Sequence, residues 1–83
     1  MKNETEAYNL AQRGMADLKT AVHMILIQAE SDGLKNAEIG RKLGIYGGHD
    51  GQHQGHISRT ILSMLGDEGV ADQDKDSKKW KIK

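Results

Sequence analysis

One apolar stripe limits what this chain can become more than any other feature. Tyr8, Ala11, Met15, Leu18, Val22, Ile25 and Ala29 recur at alternating spacings of three and four, the repeat of one face of an α-helix. Ahead of it, Asn3-Glu4-Thr5-Glu6 has the residue types of a capping box, an Asn with a Glu three positions on. Behind it, Ser31-Asp32-Gly33 supplies a stop. The spacing predicts one helix over residues 3–31, with Gly14 as the place where it bends or breaks. In a chain of 83 residues, that helix leaves room for one small domain with one modest core.

Towards its end the same segment turns apolar on more than one face, through Ala21, Val22, Met24, Ile25, Leu26 and Ile27. A small core needs only one stripe. Either this half is buried on two sides, or the surplus packs on a second copy of the chain. The candidate dimer interface is Tyr8, Ala11, Met15, Leu18, Met24 and Ile27, and a homodimer is expected.

The remainder divides into short elements. In "GLKNAEIGRKLGI", Ala37, Ile39 and Leu43 share a face. Lys35 or Asn36 caps the segment, Glu38 sits in the first turn where a carboxylate suits the helix dipole, and Gly44 ends it. "HISRTILSMLGDEGV" is a third helix with Ile57, Ile61, Leu62 and Leu65 on the buried face and His56, Arg59, Thr60 and Ser63 outward; Gly66 or Gly69 ends it. In the tail the period changes. Trp80 and Ile82 alternate with Lys79, Lys81 and Lys83, as in a half-buried strand. Val70 starts a matching strand, and "DQDKDS" between them is a polar turn. The expected architecture is mainly α with a small β-hairpin, a single domain over residues 1–83.

Composition narrows the function. Cysteine is absent, which removes disulfides and thiolate metal sites and fits a reducing cytoplasm, the expected location. "MKNETEAYN" is polar where a secretory segment is apolar, and the longest apolar run, residues 24–27, is far too short to span a bilayer. No membrane association is expected. Twelve basic and twelve acidic residues cancel, so no global electrostatic case for nucleic acid exists. The distribution is uneven, however. Acids outnumber bases before residue 35, bases outnumber acids over residues 35–66, and the closing "KKWKIK" holds four lysines.

Three helices followed by a hairpin is the order of a winged helix-turn-helix domain, and the local motifs agree. "NAEIGRKLGI" resembles the second helix of that superfamily, often N-A-E-I-A-x-x-L-G. "HISRTILSMLGDEGV" resembles its recognition helix, with the pattern S-R-T-(hydrophobic)-x-x-L-x-x-x-G-V. "KKWKIK" resembles the last wing strand. The chain thus resembles the winged helix-turn-helix DNA-binding superfamily, broadly the MarR/ArsR-like regulators, over roughly residues 18–83. The departure lies in residues 44–55, where the superfamily has a turn of a few residues. That segment resembles Gly/His-rich insertions in winged-helix modules attached to restriction-type nucleases.

"GIYGGHDGQHQGHIS", residues 44–58, holds five glycines and three histidines. His49, His53 and His56 with Asp50 have the number of ligands zinc takes, but a glycine-rich loop holds them poorly without supporting hydrogen bonds. A lone His–Asp pair lacks a nucleophile or companion carboxylate. No metal, no cofactor and no enzymatic activity are therefore expected. The resemblance implies a third role, since the loop precedes the end of the helix that enters the DNA groove. There Gln52, His53, Gln54 and His56 donate hydrogen bonds to phosphates or base edges. Against that stands a solvated loop touching nothing.

The resemblance further implies DNA contacts from Ser58, Arg59, Thr60 and Ser63 in the helix at about 55–66, and from Lys78, Lys79 and Lys81 in the wing at 70–83. Each has a plainer alternative. Arg59 either reads a guanine or pairs on the surface with an acid such as Asp67, and the lysines either touch phosphates or guard an edge strand. Trp80 is expected in the core, and His23 on the surface or at an interface. The expected function is double-stranded DNA binding, as a transcriptional regulator. The alternatives are a winged-helix protein-interaction module without DNA, and the DNA-recognition partner of a restriction-type enzyme.

Overall fold

The computed structural model describes residues 3–47 and 55–83. Its elements are α1 (Glu4–Ala29), a short 3-10 turn (Glu30–Asp32), α2 (Asn36–Lys42), α3 (His56–Asp67), β1 (Ala71–Gln73) and β2 (Trp80–Ile82). The fold is mainly helical with one antiparallel two-stranded hairpin, as expected. The register pairs Ala71 with Ile82, Asp72 with Lys81 and Gln73 with Trp80.

α1 runs unbroken through Gly14, where a Cβ would meet nothing within 4 Å. At 1.5 Å per residue it is about 39 Å long, and only its C-terminal half lies on the core. Residues 3–14 are all exposed. Val22 and Leu26 are fully buried, while Met15, Leu18 and Ile25 pack against the core edge. The expected capping box is not made: Asn3 forms no side-chain cap bond, and its carbonyl instead accepts the amide of Ala7 at 2.8 Å. The helix ends at Ala29, and a tighter turn carries the chain to Gly33.

The core joins Val22 and Leu26 of α1 to Ile39 of α2, Ile61, Leu62 and Leu65 of α3, and Ala71 of β1. Ile57 departs from the expected buried face and is 49% exposed. Its place inside the helix is taken by Ser58, whose relative exposure is 0%. Trp80 and Ile82 are half-buried, with Lys81 exposed between them, so the alternation holds. Glu68 closes the α1–α3 contact from outside, paired with Lys19.

A contact outside the hairpin fixes its position. Leu34 donates its amide to the Trp80 carbonyl at 2.9 Å and accepts the Trp80 amide at 2.7 Å, adding a one-residue bridge beside β2. Gly33 permits this approach. Its φ is +73°, and a Cβ there would lie 2.8 Å from the Trp80 carbonyl oxygen.

The turn between the strands orders itself around Asp74, whose carboxylate accepts the amides of Ser77 at 2.7 Å and Asp76 at 3.1 Å. Hydrogen bonds from the Ser77 backbone and side chain, chiefly, hold its pKa below the usual aspartate value. A carboxylate depressed in this way favours the folded turn above its unfolded pKa, and the benefit is lost as pH falls through the lower folded value.

Two glycine substitutions separate these demands. Gly33→Ala is expected to destabilise by roughly 2–4 kcal/mol, from the left-handed backbone and the displaced β2 carbonyl. Gly14→Ala, in an open helical position, is expected to stabilise by about 0.5–1 kcal/mol. Urea unfolding of both variants checks the pair.

Candidate functional site

The arrangement of α2 and α3 rests on a polar clasp inside the fold. The Ser58 hydroxyl donates to Asn36 Oδ1 at 2.7 Å, with the Gly55 carbonyl 3.2 Å away. Asn36 Nδ2 in turn donates to that same carbonyl at 3.2 Å. The first residue of α2 is thereby tied to the residue entering α3 and to its first turn. Lys35, the N-cap, has an extended backbone (φ −81°, ψ 157°), and its amide is held by the Glu38 carboxylate at 2.9 Å.

Two glycines let the parts close. Gly55 has φ +78°, and a Cβ there would sit 2.7 Å from Asn36 Nδ2. Gly40 is buried, with Ser58 Oγ and Tyr46 both 3.1 Å from where its Cβ would be. Tyr46 lies against both glycines, and Arg41 stacks over its ring at 4.5 Å, a cation–π contact.

This geometry opens a cleft of about 480 Å³ between the start of α2, the outer face of α3 and the hairpin. Lys35, Asn36 and Ala37 line it from the start of α2, Arg59 and Ser63 from α3, and Gln73, Lys78 and Trp80 from the hairpin, with Tyr46 completing the lining. Three cations line it, and no acid does among the described residues. Among the described residues Lys35, Arg59 and Lys78 have no ion-pair partner, and Asp67 does not neutralise Arg59. Ser63 adds a hydroxyl to the lining, a donor suited to oxyanions and base edges, while the Asn36 and Gln73 amides donate to the Gly55 and Lys78 carbonyls.

The residues expected from sequence separate into groups. Arg59, Ser63 and Lys78 come together in the cleft. His56 and Thr60 are exposed on α3 but do not line the cleft; they border the groove that Met15 and Leu18 line, and the Thr60 hydroxyl donates to the His56 carbonyl at 2.9 Å. Ser58 was expected to contact DNA. It is buried, its hydroxyl is committed to Asn36, and so it positions α3 without offering a surface. Lys79 and Lys81 lie on the Gly33 side of the hairpin, where Lys81 borders a hollow with Ile27, Glu30 and Ser31. Gln52, His53 and Gln54, like His49 and Asp50, lie outside the described residues. His23 is half-buried and borders a hollow with Lys19, Glu68 and Val70.

Sequence reasoning missed Lys35, Asn36 and Gln73. Lys35 carried one signal, its place immediately before a helix in the basic stretch. Gln73 carried none, because only the hairpin register brings it beside Lys78.

The expected dimer residues also divide. Met15 and Leu18 line an apolar groove of about 230 Å³ with Ile57, Thr60 and Ile61, and Tyr8 and Ala11 continue the same stripe beyond it. Met24 and Ile27, 54% and 53% exposed, lie on another side of α1, because each residue turns the helix by about 100°. No helix among the described residues is long and apolar enough to cross a membrane. No family model matches the chain, and no curated protein or solved structure matches it either.

Asn36→Ala leaves the buried Ser58 hydroxyl without its nearest acceptor. The expected cost is about 1–3 kcal/mol, read by denaturant unfolding, with Asn36→Asp retaining more stability because it keeps an acceptor for Ser58.

Proposed function

We propose that the chain binds double-stranded DNA as a winged helix-turn-helix protein, with α2 and α3 as the helix pair and the hairpin as the wing. The observation that carries this reading is the convergence of Lys35, Arg59 and Lys78 on one cleft in a chain whose net charge is zero. A neutral protein that gathers on one face cations with no ion-pair partner among the described residues has the local field of a polyanion binder without the bulk charge of one. Arg59 and Ser63 stand one helical turn apart on the outer face of α3, the positions from which base edges are read. Lys35 and Lys78 line the same cleft from neighbouring elements, as cations suited to phosphate contacts. Regulation of transcription is the role this reading favours.

A second copy of the chain completes the proposal. Tyr8, 64% exposed, projects from the overhanging half of α1, and Ile57, 49% exposed, borders the groove with Met15 and Leu18. A two-fold arrangement seats each overhang in the other copy's groove, as an isologous interface requires. The exposed apolar side chains favour one further reading, a protein-interaction module without DNA, and the two differ in what Arg59 does.

Arg59→Ala is expected to leave stability nearly unchanged and to weaken binding to a selected duplex by about 1–3 kcal/mol, with a smaller effect on unrelated sequence. Enrichment from a random duplex pool followed by titration across a salt series checks this. Equal binding of every duplex by parent and variant removes α3 as the reading element and moves the interaction module ahead. Sedimentation equilibrium at tens of micromolar is expected to show a dimer that Tyr8→Ala weakens. A monomer throughout would contradict the two-fold arrangement.

A further inference from the structure

Lys78 occupies a backbone conformation that lysine rarely adopts. Its φ is +67°, in the left-handed region where glycine and asparagine are at home and other residues are strained. The turn leaves it no alternative. The Lys78 amide donates to the Asp74 carbonyl at 2.9 Å, its carbonyl accepts Gln73 Nε2 at 3.1 Å, and the Asp74 amide spans the turn to Lys79 at 2.8 Å. Nothing in this bonding uses the lysine side chain. It borders the cleft that Lys35 and Arg59 also line. The three cations share that lining with no acid among the described residues, and like charges repel.

The backbone strain falls on Lys78, and an anion in the cleft relieves the repulsion. We propose that the space among Lys35, Arg59 and Lys78 seats a backbone phosphodiester of duplex DNA, and that Lys78 is held left-handed to close that seat at the expense of the free protein's stability. The inference rests on the duplex-binding reading above and adds the residue that trades stability for affinity. Strain retained where the surrounding structure over-determines it is characteristic of ligand clamps.

The test compares the parent with Lys78→Gly and Lys78→Gln. Binding to a fluorescein-labelled duplex of random sequence is followed by anisotropy across a sodium chloride series, and thermal unfolding is measured in the same buffers. Both variants are expected to bind five- to tenfold more weakly near 0.1 M salt, with the slope of log affinity against log salt shallower by about one. Lys78→Gly alone is expected to melt higher, by roughly 4–8 °C, while Lys78→Gln keeps the left-handed strain. Unchanged affinity and slope in both variants, with the parent binding, would overturn the phosphate seat and leave the broader reading standing. A Lys78→Gly melting temperature at or below the parent's would overturn the trade. A parent that binds no duplex at any salt would overturn both readings together.

Discussion

A buried serine hydroxyl facing an asparagine holds this small fold in its working arrangement. Ser58 points inward among Ile61, Leu62 and Leu65, where an unpaired hydroxyl is costly, and Asn36 satisfies it from the start of another helix. The bond acts at a corner. It fixes where α3 begins relative to α2, and so where Arg59 and Ser63 emerge. Hydrophobic contact alone would let two short helices slide, because apolar packing has little directionality. The Asn36–Ser58–Gly55 clasp supplies direction, and Gly40 and Gly55 supply the clearance.

The hairpin is tied to the same corner by different means. Leu34 bonds Trp80 on both of its backbone groups, two residues before Asn36 in the chain. One short segment therefore carries the strand bridge, a cleft lysine and the clasp. The side chains that define the cleft come from three elements, yet all are referenced to residues 33–36. That economy suits a chain with few apolar residues, where polar contacts must supply the specificity that a large core supplies elsewhere.

Much of the architecture was legible because it is local. The Tyr8-to-Ala29 stripe, the breaks at Gly33 and Gly44 and the Trp80–Ile82 alternation each follow from spacing a few residues apart. What escaped depends on partners far along the chain. Ile57 shares a face with Ile61 by spacing, but the buried face of α3 takes in Ser58 instead, whose acceptor lies twenty-two positions away. Leu34 forms a one-residue bridge, too short for any alternation to show. The cleft was half legible. Arg59, Ser63 and Lys78 stood out as exposed polar positions, whereas Lys35 and Gln73 join them only through the tertiary arrangement. Lys79 and Lys81 look equivalent to Lys78 by composition, and the alternation of the strand sets Lys78 with Trp80 on the cleft side and the other two on the Gly33 side.

The continuity of α1 has a mechanical consequence. Its overhanging and core-packed halves are one rod, with no hinge at Gly14. Whatever docks on the first turns is therefore phased to the body of the protein as gear teeth are to a shaft. Each inserted or deleted residue in the overhang advances the attachment by 1.5 Å and swings it by about 100°. A tether would absorb such a change as slack, but here it becomes a rotation.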